Sequence, residues 1–229
     1  MRNATTAPAT PFRASVVGRY RVPDEPEGTV PMRGDYGSPD FDWSILSVPT
    51  AKAMAEGQLG FSWLELAGRL ATVTQEEFTW EPRPGALSVV RRGEERTPRT
   101  LGTGEWVAEW PAGPDEPGPR TIAWLVAHLT ETYLERWEWT FGDRQRRRED
   151  AVVHGDVDAA RDELATWVTA WREGIRALPD EDFMTVGLSQ ATEVDAASPF
   201  GHLVLHLNRE LIHHGSEIFT LTDLYRAGR

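Results

Sequence analysis

Apolar residues recur along four stretches of the chain at alternating intervals of three and four, the spacing that gathers them on one face of a helix. Leu59, Trp63, Leu66, Leu70 and Val73 form the first seam, and Thr50 stands before it as a hydroxyl N-cap, so a helix is expected over residues 50–73. Gly57, Gly60 and Gly68 weaken that helix intrinsically, which leaves packing to hold it. The second seam, Ile122, Leu125 and Leu129, predicts a helix over 120–141, with Trp124, His128 and Thr132 on the adjoining strip. The third is the cleanest: Val157, Ala160, Leu164, Trp167, Trp171, Ile175 and Leu178 predict a helix over 156–178 that Pro179 ends. The fourth, with Leu203, Leu207, Leu211, Ile218 and Leu221, predicts a helix over 198–225, capped by Ser198 with Pro199 in its first turn.

Four amphipathic helices with one seam each predict an all-α four-helix bundle. The segments between them are read differently. Residues 1–49 are too densely broken by Pro and Gly for helix, and are expected to form an irregular arm with Phe41, Trp43, Ile45 and Leu46 as anchors; residues 50–229 then form the bundle domain. Residues 74–119 make a long connection with short strands at Ser88–Val90 and Trp106–Ala108. Gly102-Thr103-Gly104 in that connection resembles a phosphate loop only superficially. It lacks the preceding strand, the following helix and the Lys-Ser/Thr pair that such a loop needs. Residues 179–197 read as polar and irregular.

Charge and composition narrow the function. The net charge of −12 disfavours nucleic acid and anionic membranes as partners, and Arg144-Gln145-Arg146-Arg147-Arg148 reads as a solvated helix end or linker. No stretch has the run of about 18 apolar residues that spans a bilayer. The start of the chain lacks a charged-then-apolar leader pattern, so a cytoplasmic location and a small-molecule substrate are expected, and a homodimer is compatible with these features. With no cysteine, disulfides, thiolate metal ligands and a protein thiol nucleophile are excluded.

Chemistry enters on the fourth helix. Glu210 and His214 lie within or beside the apolar stripe, one turn apart, where both side chains can reach one metal ion. His128 on the second helix offers a third donor. Two neutral imidazoles and a carboxylate, with a fourth position left open, form a catalytic rather than a closed structural zinc pattern. Simpler readings stand beside it. His128 alone reads more readily as a satisfied core histidine than as a ligand, and Glu210 alone as a boundary residue reaching solvent or Arg209. His206, one turn before Glu210, either replaces it as a donor or hydrogen-bonds its carboxylate from outside. His213 falls toward the bundle edge, Thr132 lies beside His128, and Glu217 either pairs with an arginine at the core margin or takes part in the chemistry. No catalytic acid or base is named by spacing alone.

The stretch Ala123-Trp124-Leu125-Val126-Ala127-His128-Leu129 and the stretch Glu210-Leu211-Ile212-His213-His214-Gly215-Ser216-Glu217-Ile218 resemble the DinB/YfiT-like superfamily. That family carries a histidine on its second helix and a His-x-x-x-His followed by a Gly-x-polar-Ile tail on its fourth. The order of segments is similar from about residue 50 to 225 and leaves the first 49 residues outside. The resemblance implies a four-helix bundle with a crossover between helices two and three. Where the family has the first histidine of its pair, this chain has Glu210, a pattern similar to the branch of mycothiol-dependent maleylpyruvate isomerase and related thiol S-transferases. By that resemblance His128, Glu210 and His214 are the ligands of a divalent metal, zinc first and nickel or another transition metal next, and a low-molecular-weight thiol is the cosubstrate. Three functions follow as expectations: metal-activated thiol transfer or thiol-assisted isomerisation, hydrolysis by metal-activated water on the same ligands, or a non-enzymatic bundle that binds a small molecule or partner.

Overall fold

The computed structural model describes residues 50–111, 113 and 118–228. The arm expected over 1–49, with its four apolar anchors, lies outside the described residues. The helices are α1 (Ala51–Leu70), a short α2 (Gln75–Thr79), α3 (Ile122–Thr140), α4 (Val157–Ala177), a short α5 (Glu193–Ala197) and α6 (Phe200–Ala227). The strands are β1 (Val89–Arg91), β2 (Arg99–Leu101) and β3 (Trp106–Trp110). The four long helices thus sit within a few residues of the four seams.

Local chemistry sets most of their boundaries. The Thr50 hydroxyl accepts from the Ala53 amide at 3.2 Å and starts α1. Thr74 and Glu77 form a reciprocal capping box on α2. Thr121 caps α3 and Asp156 caps α4. Ser198 does not cap α6, contrary to expectation: the helix begins after Pro199 without a side-chain cap, and the Phe200 amide at its start donates to the Thr185 carbonyl at 3.0 Å. The region 179–197 also holds more structure than its polarity suggests, namely a 3-10 turn at Asp180–Met184 and helix α5.

The four long helices form a ring. α3 packs against α4 and α6, and α1 packs against the same two, so α1 and α3 face each other across the bundle. α3 and α4 run parallel, because Trp137 meets Trp167 and Phe141 meets Trp171 toward the C-terminal ends of both; residues 141–156 therefore run back along the bundle, with Arg148 beside Glu131 and Val153 bridged to Trp106, and form the crossover between helices two and three that the resemblance implies. Close approach at their junction depends on Gly174, where a Cβ would meet the Phe141 ring at 2.4 Å. One apolar core fills the ring, with Leu59, Leu66, Tyr133, Leu164, Trp171, Phe200 and Leu207 inaccessible or nearly so. None of the described helices is long and apolar enough to cross a membrane.

The long connection after α1 holds a three-stranded antiparallel sheet in the order β1-β3-β2. β2 escaped the sequence pattern; its three residues are held by pairing with β3, Leu101 opposite Ala108. Gly102 follows with φ +113°, and the Gly102 and Gly104 carbonyls accept from Arg92, so this turn closes a hairpin. The sheet is fastened to the start of α3. The Thr121 amide donates to the Leu87 carbonyl at 3.0 Å, and Trp124 Nε1 donates to the Glu109 carbonyl at 2.5 Å. That attachment brings Trp110, at the end of β3, beside His128.

Candidate metal centre

His128 lies in the second turn of α3, and Glu210 and His214 lie one turn apart in the middle of α6. Because α3 and α6 are neighbours in the ring, the three side chains converge. His214 Nε2 and His128 Nε2 stand 3.3 and 3.6 Å from the same carboxylate oxygen, Glu210 Oε2. One donor atom from each residue lies within 4.8 Å of the others. A tetrahedral shell with ligands at about 2 Å separates its donors by roughly 3.3 Å, so the spacing and the donor chemistry both suit a divalent ion. The second oxygen of Glu210 is turned away: Arg209 donates to Oε1 at 2.9 Å.

The remaining candidates take definite places around this cluster. His206 Nδ1 is 3.6 Å from Glu210 Oε1 and accepts from Arg209 at 2.7 Å, so His206 touches the outer oxygen and is not part of the convergent three. His213 is exposed and stacks on His214, with ring centroids 5.0 Å apart and planes 15° from parallel. Glu217 pairs with an arginine, as one of its two readings expected, and also meets a histidine: Arg120 approaches both its oxygens at 3.2 Å, and its Oε2 is 3.3 Å from His214 Nδ1. Thr132 does not touch His128 directly; its hydroxyl donates to Glu131 Oε1 at 3.2 Å, the oxygen that His128 Nδ1 meets at 3.0 Å.

Glu131 is the residue the seams missed. It is buried, and the strip that carries His128 runs through Thr132, one position further on, so helical periodicity does not single it out. Its signal was the spacing His128-Leu129-Thr130-Glu131, which puts a carboxylate three residues beyond a histidine. Arg148 approaches Glu131 Oε2 at 3.4 Å, and its guanidinium lies 6.0 Å from the Trp110 ring. The arginine run lies in the linker after α3 with Arg144, Gln145 and Arg147 exposed, as expected, but Arg148 faces the carboxylates of α3 and Arg147 lies 3.5 Å over Trp139. The aromatic faces of Trp139 and Trp110 compensate charge that the sequence alone assigns to water.

Aromatic rings close one side of the cluster. Trp124 stacks on His128 at 5.2 Å, and Trp110 lies 5.7 Å from it. Charge is adjusted to match. Burial works against a charged His128, but its hydrogen bonds to Glu131 and Glu210 prevail, and its pKa stands above that of a free imidazole. Hydrogen bonds to His128 and His214 hold the Glu210 carboxyl far below the usual carboxylate range. Burial pushes Glu217 upward, yet the hydrogen bond to His214 and the charge of Arg120 leave it lowered overall. His206 is lowered, first by burial and then by the nearby Arg209 and Arg136, against the pull of Glu210. The cluster is therefore an ionised carboxylate with two imidazoles aimed at the same oxygen.

Among comparisons with known proteins, residues 58–218 match the family model of the DinB superfamily. No curated protein and no solved structure matches the chain.

Proposed function

The chain belongs to the DinB superfamily, and from that membership we propose a metal-dependent enzyme in which His128, Glu210 and His214 hold a divalent ion, zinc first, and a low-molecular-weight thiol of the mycothiol type is the cosubstrate. The observation that carries the metal is the convergence of two Nε2 atoms on Glu210 Oε2, at 3.3 and 3.6 Å, between two helices that would otherwise bury polar groups against each other. The observation that favours the thiol branch is Glu210 itself, which stands where a histidine is the family's usual donor.

When bound, the ion supplies positive charge that lowers the pKa of an acid brought to its open side. The chain's own residues define what that acid meets. Two neutral imidazoles and one carboxylate offset a dication only in part, so an anionic donor is favoured in the remaining position. Trp110 and Trp124 shield the His128 side from water, which strengthens that preference. Since the chain has no cysteine, a thiol that attacks an electrophile must arrive from outside. The expected location is cytoplasmic and the expected substrate a small molecule.

Metal analysis of the purified protein, followed by a panel of electrophiles assayed with metal-loaded protein with and without thiol, tests this reading. Turnover that requires both supports it. Thiol-independent turnover assigns the site to hydrolysis, and absence of bound metal together with inactivity assigns the bundle to small-molecule or partner binding.

A further inference from the structure

Each imidazole of the cluster has a second nitrogen, and both of these are occupied in the same way. His128 Nδ1 meets Glu131 Oε1 at 3.0 Å, and His214 Nδ1 meets Glu217 Oε2 at 3.3 Å. Each glutamate lies three residues beyond its histidine on the same helix. The chain has six histidines, and the residues three positions beyond the other four are Val157, Leu205, Arg209 and Ser216. Only the two histidines that meet Glu210 Oε2 carry the His-x-x-Glu spacing. Behind each glutamate stands one arginine: Arg148 at 3.4 Å from Glu131 and Arg120 at 3.2 Å from Glu217. Each arginine also lies toward one of the two tryptophans at His128, Arg148 toward Trp110 and Arg120 toward Trp124.

We infer that Glu131 and Glu217 are paired positioning residues, each accepting the Nδ1–H of its histidine so that both bare Nε2 lone pairs are fixed toward the point shared with Glu210. The inference rests on the metal reading above and adds what sets the rings before an ion arrives. A neutral imidazole has two tautomers, and only the one protonated at Nδ1 leaves Nε2 free to donate. A carboxylate at Nδ1 selects that tautomer, fixes the ring's rotation and increases its basicity. A carboxylate at hydrogen-bonding distance from Nε2 would select the wrong one, and Glu210 Oε2 is a competitor of that kind. For His128 the geometry favours Glu131, at 3.0 Å against 3.6 Å for Glu210. For His214 both distances are 3.3 Å, and the bidentate contact of Arg120 holds Glu217 in place. The arginines have a second consequence: each holds its glutamate in place behind the histidine.

The test combines zinc titration with nitrogen-detected NMR of the histidine rings. In metal-free protein, at a pH where the imidazoles are neutral, both rings should carry their proton on Nδ1. Glu131→Ala should mix the tautomers of His128 and leave His214 unchanged, and Glu217→Ala should do the converse. Each alanine variant should weaken zinc binding about 10–100-fold. Glu131→Gln and Glu217→Gln, whose amide carbonyls can still accept the Nδ1–H, should recover most of that loss and guard against a variant that merely folds poorly. Rings protonated on Nε2, or alanine variants with unchanged ring signals and zinc affinity within twofold of the parent, would overturn the inference. Failure of the parent protein to bind zinc would instead overturn the metal reading, and the ring signals of the metal-free protein would still decide the pairing.

Discussion

Helices α3 and α4 pack side by side and are of similar length, yet they bury different things. α4 buries eight of its 21 residues, all apolar: Val157, Ala160, Leu164, Trp167, Val168, Ala170, Trp171 and Ile175. α3 buries fifteen of its 19, and these include Glu131, Glu135, Arg136 and Glu138. Ordinary packing explains α4, whose polar face lies in water. It does not explain α3. Each buried charge there costs several kcal/mol unless it is matched, by order of magnitude. The matches are specific: Glu131 with His128 and Arg148, Glu135 with Arg136 at 2.7 Å, Glu138 with the Gln145 amide at 3.1 Å. Charge retained inside at such cost is where chemistry is to be sought, and α3 supplies His128 whereas α4 supplies no donor to the cluster.

The largest expected effects lie on the α3–α6 side. Glu210→Ala and His214→Ala should each abolish tight zinc binding in isothermal titration, because each removes one of three convergent donors. His206→Ala should weaken it by no more than about 10–100-fold, since His206 meets only the outer oxygen of Glu210. His206 and His214 are eight residues apart, roughly 12 Å of helix rise, which one ion with ligands at about 2 Å cannot bridge. If His214→Ala kept the parent's affinity while His206→Ala lost it, the assignment of donors would be wrong.

On α4 the effect should be large in stability and absent from the metal. Trp171 is fully buried between Phe141 and Phe200, at 5.5 and 5.7 Å between ring centroids. Trp171→Ala should cost about 3–5 kcal/mol in denaturant unfolding. Zinc affinity of the folded variant should stay within a few-fold of the parent. A tenfold loss would show that α4 tunes the cluster through α3 and would dissolve the contrast between the two helices.

How much of this contrast the sequence carried depends on what a side chain's partner is. The seam of α4 is self-sufficient: a helix of its period buries that face against whatever is available, so its ends were legible to within a residue or so. The pair Glu210 and His214 was legible because i,i+4 spacing is local geometry. Glu131 was not, because a helix buried nearly all round has no polar face against which an inward charge stands out. Arg148 was missed for the complementary reason: its partners, Glu131 and Trp110, come from two other segments, and a run of arginines carries no record of what it folds onto. β2 has three residues and no alternation of its own; its place is set by β3. The crossover of residues 141–156 is expected from the resemblance and not from any one seam, because which helices run parallel is a property of packing.

The charge buried around α3 extends to its N-terminal support, and acid should reveal it. Glu109 on β3 is fully buried, and burial by itself raises its pKa; hydrogen bonds from Arg96 outweigh that and leave it below the ordinary glutamate range. Glu77 is lowered too, chiefly by its hydrogen bond with Arg226. A carboxyl whose folded pKa is depressed contributes stability above its unfolded pKa and loses it as pH falls through the folded value. Stability should therefore decline as pH drops below about 4.5, and the decline should be shallower in Glu109→Gln, although that variant starts less stable because Arg96 loses its partner. Chemical denaturation at a series of pH values checks both. An unchanged slope in the variant would mean that Glu109 carries none of the acid sensitivity.

The smallest expected effects come from the caps, where α3 and α4 differ least. Thr121 accepts from the Trp124 amide at 3.2 Å and Asp156 from the Ala159 amide at 2.9 Å, the same device on each helix. Losing either cap should cost about 1 kcal/mol. The Thr121 hydroxyl is inaccessible, however, and also donates to the Ser88 hydroxyl at 3.1 Å, so Thr121→Ala removes a buried hydrogen bond worth about another 1 kcal/mol. Asp156→Ala has no such addition, because the cap of α4 is open to water. Asp156→Asn keeps an acceptor for the Ala159 amide and loses only the favourable charge at the helix start, about 0.3–1 kcal/mol. The expected order of stability loss is Thr121→Ala, then Asp156→Ala, then Asp156→Asn, read from urea midpoints at constant slope. Equal losses for the two alanine variants would place the difference between the helices in their side chains alone, and the buried junction between α3 and the sheet would then contribute nothing beyond an ordinary cap.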